Sequence, residues 1–160
     1  MKGATVMKKK LRSSRGVTLT EMLVTVIIIG LMTAGVATGI SASLNVYHES
    51  TQLSDAQTLS ATLAQAVMDE LRYATNVSGS GDAPTYDSMN YGEDAVIAPN
   101  ADGRLAVNGI ELIGSGAYNG LKANITYPYS GGAFSVTITV SDANGELITS
   151  TPEFSVTPLS

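Results

Sequence analysis

Glu21 is the residue of this sequence with the most chemical leverage. In RSSRGVTLTEMLVTVIIIG, residues 12–30, it stands five residues past Gly16 and opens a run from Met22 to Tyr47 with no charged side chain. A carboxylate at the edge of a bilayer costs on the order of a few kcal/mol and is usually tied to a partner. The chemistry it offers is ionic: in low dielectric, a carboxylate and a cation attract strongly and fix each other's register. The simpler reading is an acid in the first turn of a helix, favoured there by the macrodipole. Nothing else in the chain assembles into a reaction centre. There is no cysteine, His48 is the single histidine, and no nucleophile, base and orienting group fall together. The sequence therefore predicts no enzyme, no cofactor and no metal site. NADG at 100–103 and DANGE at 142–146 share letters with calcium loops but lack their alternating acids and distant glutamate, so they read as turns. Asn76-Val-Ser and Asn124-Ile-Thr fit a glycosylation pattern by letter alone.

The charges set Glu21 in context. Six of the nine basic residues (Lys2, Lys8, Lys9, Lys10, Arg12 and Arg15) precede Gly16, and all fourteen acids follow it. Without residues 1–16 the chain carries three basic and fourteen acidic residues, a net −11 in place of −5. No basic patch is left to meet phosphates, so nucleic acid is not an expected partner.

An element must hold Glu21 at the head of the apolar run, and the sequence predicts a helix. MLVTVIIIGLMTAGVATGI, residues 22–40, supplies nineteen mostly apolar positions. About 20 residues at about 1.5 Å each cross a hydrocarbon layer of about 30 Å. The lysines and arginines before it predict a single-pass segment with a cytoplasmic N-terminus and an extracytoplasmic remainder. A cleaved secretory signal, with SAS at 41–43 as its small-residue site, is the competing reading. The apolar run is longer than the roughly 7 to 15 residues of such signals, and Glu21 does not belong in one.

Past the apolar run the pattern changes face without breaking. Leu53, Ala56, Leu59, Leu63, Val67, Leu71 and Ala74 recur every three or four residues, and no proline precedes Pro84. One helix from about residue 17 to about residue 75 follows, its rear half needing a small domain on its apolar stripe. SGSGDAP at 78–84 reads as a flexible break, and PTYDSMNYGED as polar loop. RLAV and IELI flank Asn108-Gly109, which suits a two-residue type I′ hairpin. LKANITY and AFSVTITV flank PYSGG, and Phe134, Val136, Ile138 and Val140 alternate with Ser and Thr. DANG turns the chain, and ELIT and EFSVT read as the last strands. Tyr118, Tyr127 and Tyr129 read as core edge rather than a binding surface. The expected fold class is α+β: a long N-terminal helix with a small antiparallel sheet packed on its second half. The divisions are 1–16 (leader), 17–47 (membrane helix), 48–77 (amphipathic continuation) and 78–160 (β-rich domain).

Basic leader, Gly16, Val-Thr-Leu-Thr-Glu, apolar helix and C-terminal sheet together resemble the type IV pilins and the pseudopilins of type II secretion and competence systems. The resemblance implies a prepilin peptidase that cuts between Gly16 and Val17 and methylates the new amine of Val17, where the family commonly carries Phe or Met. It implies other pilin or pseudopilin subunits, the membrane and an inner-membrane assembly platform as partners, and a surface filament as the destination. Glu21 then acquires a partner. Its own Val17 amine lies about 6 Å away in rise, whereas a staggered neighbour can bring its Val17 amine to this carboxylate. Gly30, Gly35 and Gly39 fit close helix packing. Thr38 stands where the family's major pilins commonly carry proline, which favours a minor pilin or pseudopilin. A membrane-anchored extracellular binding module that never polymerises is the alternative, and it predicts that Glu21 is dispensable.

Overall fold

The computed structural model describes residues 16–79 and 81–159. The basic leader expected at 1–16 lies outside the described residues except for Gly16. The chain divides into two compact units, Met1–Asn45 and Val46–Ser160. A single helix, α1, runs Leu19–Leu71 through 53 residues and belongs to both.

In the first unit the described residues are Gly16 to Asn45, with α1 starting two residues past Val17. Its side chains are exposed throughout, Ile27 to 53% and Leu31 to 70%. Hydroxyls that would otherwise be stranded on an apolar helix turn inward. Thr25, Thr33, Ser41 and Ser43 each donate to the carbonyl four residues back, at 2.7 to 3.1 Å. Thr38 donates to Gly35 O at 2.9 Å and to Ala34 O at 3.3 Å. Satisfied in this way, serine and threonine can sit in a hydrocarbon layer without an unpaired polar group.

The second unit builds its core on the rear of α1. Ala56, Leu59, Leu63, Val67 and Leu71 are buried, with Ala74 just beyond, as the stripe predicts; Leu53, at 42% exposed, lies outside it. The helix ends at Leu71, earlier than expected and without a glycine or proline. Tyr73 and Ala74 donate back only three residues, to Glu70 O and Leu71 O at 3.3 and 3.2 Å, which tightens the last turn. The carbonyl of Arg72 accepts the N–H of Leu159 at 2.7 Å, and Asn76 at φ 47° redirects the chain.

Three antiparallel sheets follow. The first joins β1 (Thr75–Ser78), β2 (Thr85–Ser88) and β3 (Gly92–Ala95). The segment expected as polar loop is thus a hairpin. Ser88 Oγ accepts the N–H groups of Asn90 and Tyr91 and shapes its turn, while Tyr86 and Ala95 face each other and are buried. The expected break before it is tied down by Tyr127, whose N–H donates to Asp82 O at 2.7 Å. The second sheet joins β4 (Ile97–Pro99), β5 (Leu105–Val107) and β6 (Ile110–Glu111). Asn108 and Gly109 make the predicted β5–β6 turn, both at positive φ, 50° and 84°.

The third sheet is organised by one strand. It contains β7 (Lys122–Thr126), β8 (Tyr129–Ser130), β9 (Ala133–Ser141), β10 (Leu147–Ser150) and β11 (Phe154–Val156). β9 pairs with all four others. Its alternation holds along the whole strand, with Phe134, Val136, Ile138 and Val140 fully buried. Phe134 meets the rings of Tyr86, Tyr127 and Tyr129 at centroid distances of 6.4, 6.2 and 4.8 Å. Of the three tyrosines read as core edge, Tyr118 and Tyr127 are core and Tyr129 is 38% exposed.

Candidate functional site: the head of the apolar helix

Gly16, Val17 and Thr18 approach α1 as irregular, exposed backbone, and the helix proper begins at Leu19. Thr18 is the N-cap. Its Oγ1 accepts the N–H of Glu21 at 3.2 Å, and its carbonyl accepts the N–H of Met22 at 3.1 Å, the first full helical turn. Thr18-Leu19-Thr20-Glu21 has the spacing of a capping box, a signal present in the letters that the sequence reading passed over. Only half of the box is closed. The backbone N–H of Glu21 is engaged, but among the described residues no hydrogen bond or ion pair engages its carboxylate.

That arrangement has a clear electrostatic sense. The cap fixes where Glu21 leaves the helix, and the macrodipole favours the negative charge there. With its carboxylate uncommitted, the side chain can serve a cation from outside the chain. Val17 stands four positions earlier, exposed, so a new amine at that point would be accessible. Beyond Glu21 the exposed surface of α1 carries no charged side chain as far as Tyr47.

The glycines have a more limited role. Gly30, Gly35 and Gly39 all lie within α1, and a Cβ added at any of them would meet nothing. At about 100° per residue, Gly35 and Gly39 share a face while Gly30 points elsewhere. They form one flat spot and a separate position rather than a single stripe. α1 continues through Thr38 without interruption.

Residues 11–37 match the prokaryotic N-terminal methylation motif. This stretch is a type IV pilin-like prepilin segment. No curated protein and no solved structure matches the chain. The prepilin segment implies processing by a prepilin peptidase and assembly with pilins in the membrane, and segments of this kind belong to structural, non-enzymatic proteins. The single N-terminal apolar helix fits a single-pass anchor, and one long helix followed by antiparallel sheets is an α+β, pilin-like architecture. Among the described residues no group of three or more His, Cys, Asp or Glu is placed to hold a metal ion. His48 is exposed and meets Tyr47 edge-on at 6.3 Å.

Proposed function

We propose that this chain is a filament subunit, a minor pilin or pseudopilin, released from its leader by cleavage between Gly16 and Val17 and assembled through α1. The observation that carries the reading is the position of Glu21: inside a methylation motif, at the third position of a capped helix, its carboxylate uncommitted above an exposed apolar surface. In the assembled state the methylated Val17 amine of one subunit pairs with Glu21 of a staggered neighbour. Close packing at Gly35 and Gly39 holds the neighbouring helices together farther along the bundle. Thr38 in place of a helix-bending proline supports a minor rather than major role. The β-rich unit lies outside the membrane, and the subunit catalyses nothing.

Two measurements test this. Mass spectrometry of membrane-extracted protein should place the N-terminus at Val17 with a methyl group, and Gly16→Asp should retain the leader; an intact wild-type leader refutes the reading. Glu21→Gln should be cleaved and inserted normally yet scarce in sheared filaments, because an unpaired ammonium in a low-dielectric bundle costs on the order of several kcal/mol. Normal incorporation of that variant would leave an anchored extracellular binding module as the function.

A further inference from the structure

Residues 17–160 hold three cations, Arg72, Arg104 and Lys122. Arg104 is committed to Glu111 and Asp102, both at 2.6 Å, and Lys122 donates to Ala143 O at 2.7 Å. Arg72, one residue past the end of α1, has no side-chain partner among the described residues. Exposed apolar groups lie next to it along the chain and across its backbone hydrogen bond. Tyr73 follows it and is 51% exposed; Leu159, whose N–H bonds the Arg72 carbonyl, is 61% exposed. Tyr129 and Pro158 line a shallow depression beside them with Val77. The nearest acid on the helix surface, Asp69, already receives Gln65. One cation in an apolar setting is thus presented at this end of the β-rich unit.

The opposite chemistry lies at the other end of the same unit. A groove between the 46–53 stretch of α1 and the turn entering β10 is lined by apolar Val46, Leu53, Leu147 and Ile148 together with Asp142. Glu49 and Glu146 border it, both exposed and without a side-chain partner among the described residues. Arg72 and Glu49 are separated by about 34 Å of helix rise, so one copy cannot bring its own patch to its own groove. A second copy can.

We propose that the Arg72 patch of one copy seats in the Glu49–Glu146 groove of the next, a head-to-tail contact between copies of this chain. The surfaces match in charge and in apolar character, and a guanidinium fork suits two flanking carboxylates. The two patches differ, so the contact is heterologous, and it forms an open filament where the rotation between copies does not close a ring. It acts once α1 holds copies side by side at high effective concentration, and in that sense it rests on the filament reading.

The chain has no cysteine, which gives a clean background for crosslinking. Ser50→Cys, at the groove, and Thr75→Cys, beside the patch, are placed on separately tagged full-length copies expressed together in the native host. A thiol-specific crosslinker should give a band carrying both tags, and neither variant alone should give a homodimer band. Arg72→Glu in the Thr75→Cys copy should lower the yield by at least about tenfold, since it sets like charges against each other at the contact. Glu49→Arg with Glu146→Arg in the Ser50→Cys copy should then restore it. Glu21-dependent filaments without the two-tag band overturn the contact and leave the filament reading standing. No band together with no Glu21-dependent filaments overturns both. A cysteine captured instead by a different protein, or an undiminished band with Arg72→Glu, also overturns the contact.

Discussion

Tyr118 and Tyr127 each direct a phenol oxygen at the first N–H of a strand. Leu105 donates to Tyr118 at 2.8 Å and Ile97 to Tyr127 at 2.9 Å. Tyr118→Phe or Tyr127→Phe keeps the ring and strands a buried N–H, so each should cost about 1–3 kcal/mol in a urea melt of the purified protein. These roles are invisible in the letters, because a buried tyrosine and a core-edge tyrosine read alike until the strand it serves is in place. Thr18 is the opposite case. Its cap is written in Thr-x-x-Glu, and Thr18→Ala should weaken the first turn by about 0.5–2 kcal/mol, seen as faster amide exchange at Glu21 and Met22 in detergent micelles.

Among the elements, those with a strict period were legible. β9 alternates over nine residues, Asn108-Gly109 calls for its turn, and the rear stripe of α1 recurs at helical spacing. β1 to β4 were not, because their strands are short, polar and rich in turn residues, and they bury little beyond Val77, Tyr86, Ala95 and Ile97. What fixes them is side-chain chemistry across a distance, such as Asn76 Nδ2 donating to Asp87 at 2.6 Å. Gly103 shows a similar dependence. It sits at φ 75°, its carbonyl accepts Ala123 N–H at 2.8 Å, and an added Cβ would lie 2.6 Å from Lys122 Cγ. Gly103→Ala should therefore destabilise by more than the roughly 1–2 kcal/mol of a left-handed residue. Adding Lys122→Ala removes the Cγ and Cδ contacts but keeps Cβ, 2.8 Å from the added atom, so it relieves part of the clash and the double variant should lose somewhat less than the sum of the two single changes.

For the molecule as a whole, the unit Val46–Ser160 has its own core, and a fragment of those residues should be soluble with mixed helix and sheet by circular dichroism. Its pH dependence follows from four groups. Burial pushes the phenols of Tyr86, Tyr118 and Tyr127 above the usual tyrosine value, with the Glu70 carboxylate adding to the effect at Tyr86. Folding favours their neutral forms, so this contribution is complete below about pH 10 and is lost as pH rises further. The Glu146 N–H, helped by Asn144, holds the Asp142 carboxyl below the usual carboxylate range. That contribution is present above about pH 4 and is lost as pH falls through the lower folded value. A guanidinium midpoint measured against pH should fall at both ends. Part of the tyrosine absorbance change should appear only as the fragment unfolds in alkali. An alkaline midpoint equal to the neutral one would contradict this account of the three phenols.

The place of β9 in its sheet bears on timing. β7 and β8 flank it on one side and precede or adjoin it in the chain; the opposite side is filled by Leu147–Ser150 and Phe154–Val156, the last strands to be synthesised. A chain synthesised from its N-terminal end therefore carries its longest strand half paired, an open edge until residues 147–156 follow. Folding of this sheet therefore waits on residues 147–156, and a chain stopped before residue 147 keeps an exposed strand edge ready to pair with another chain.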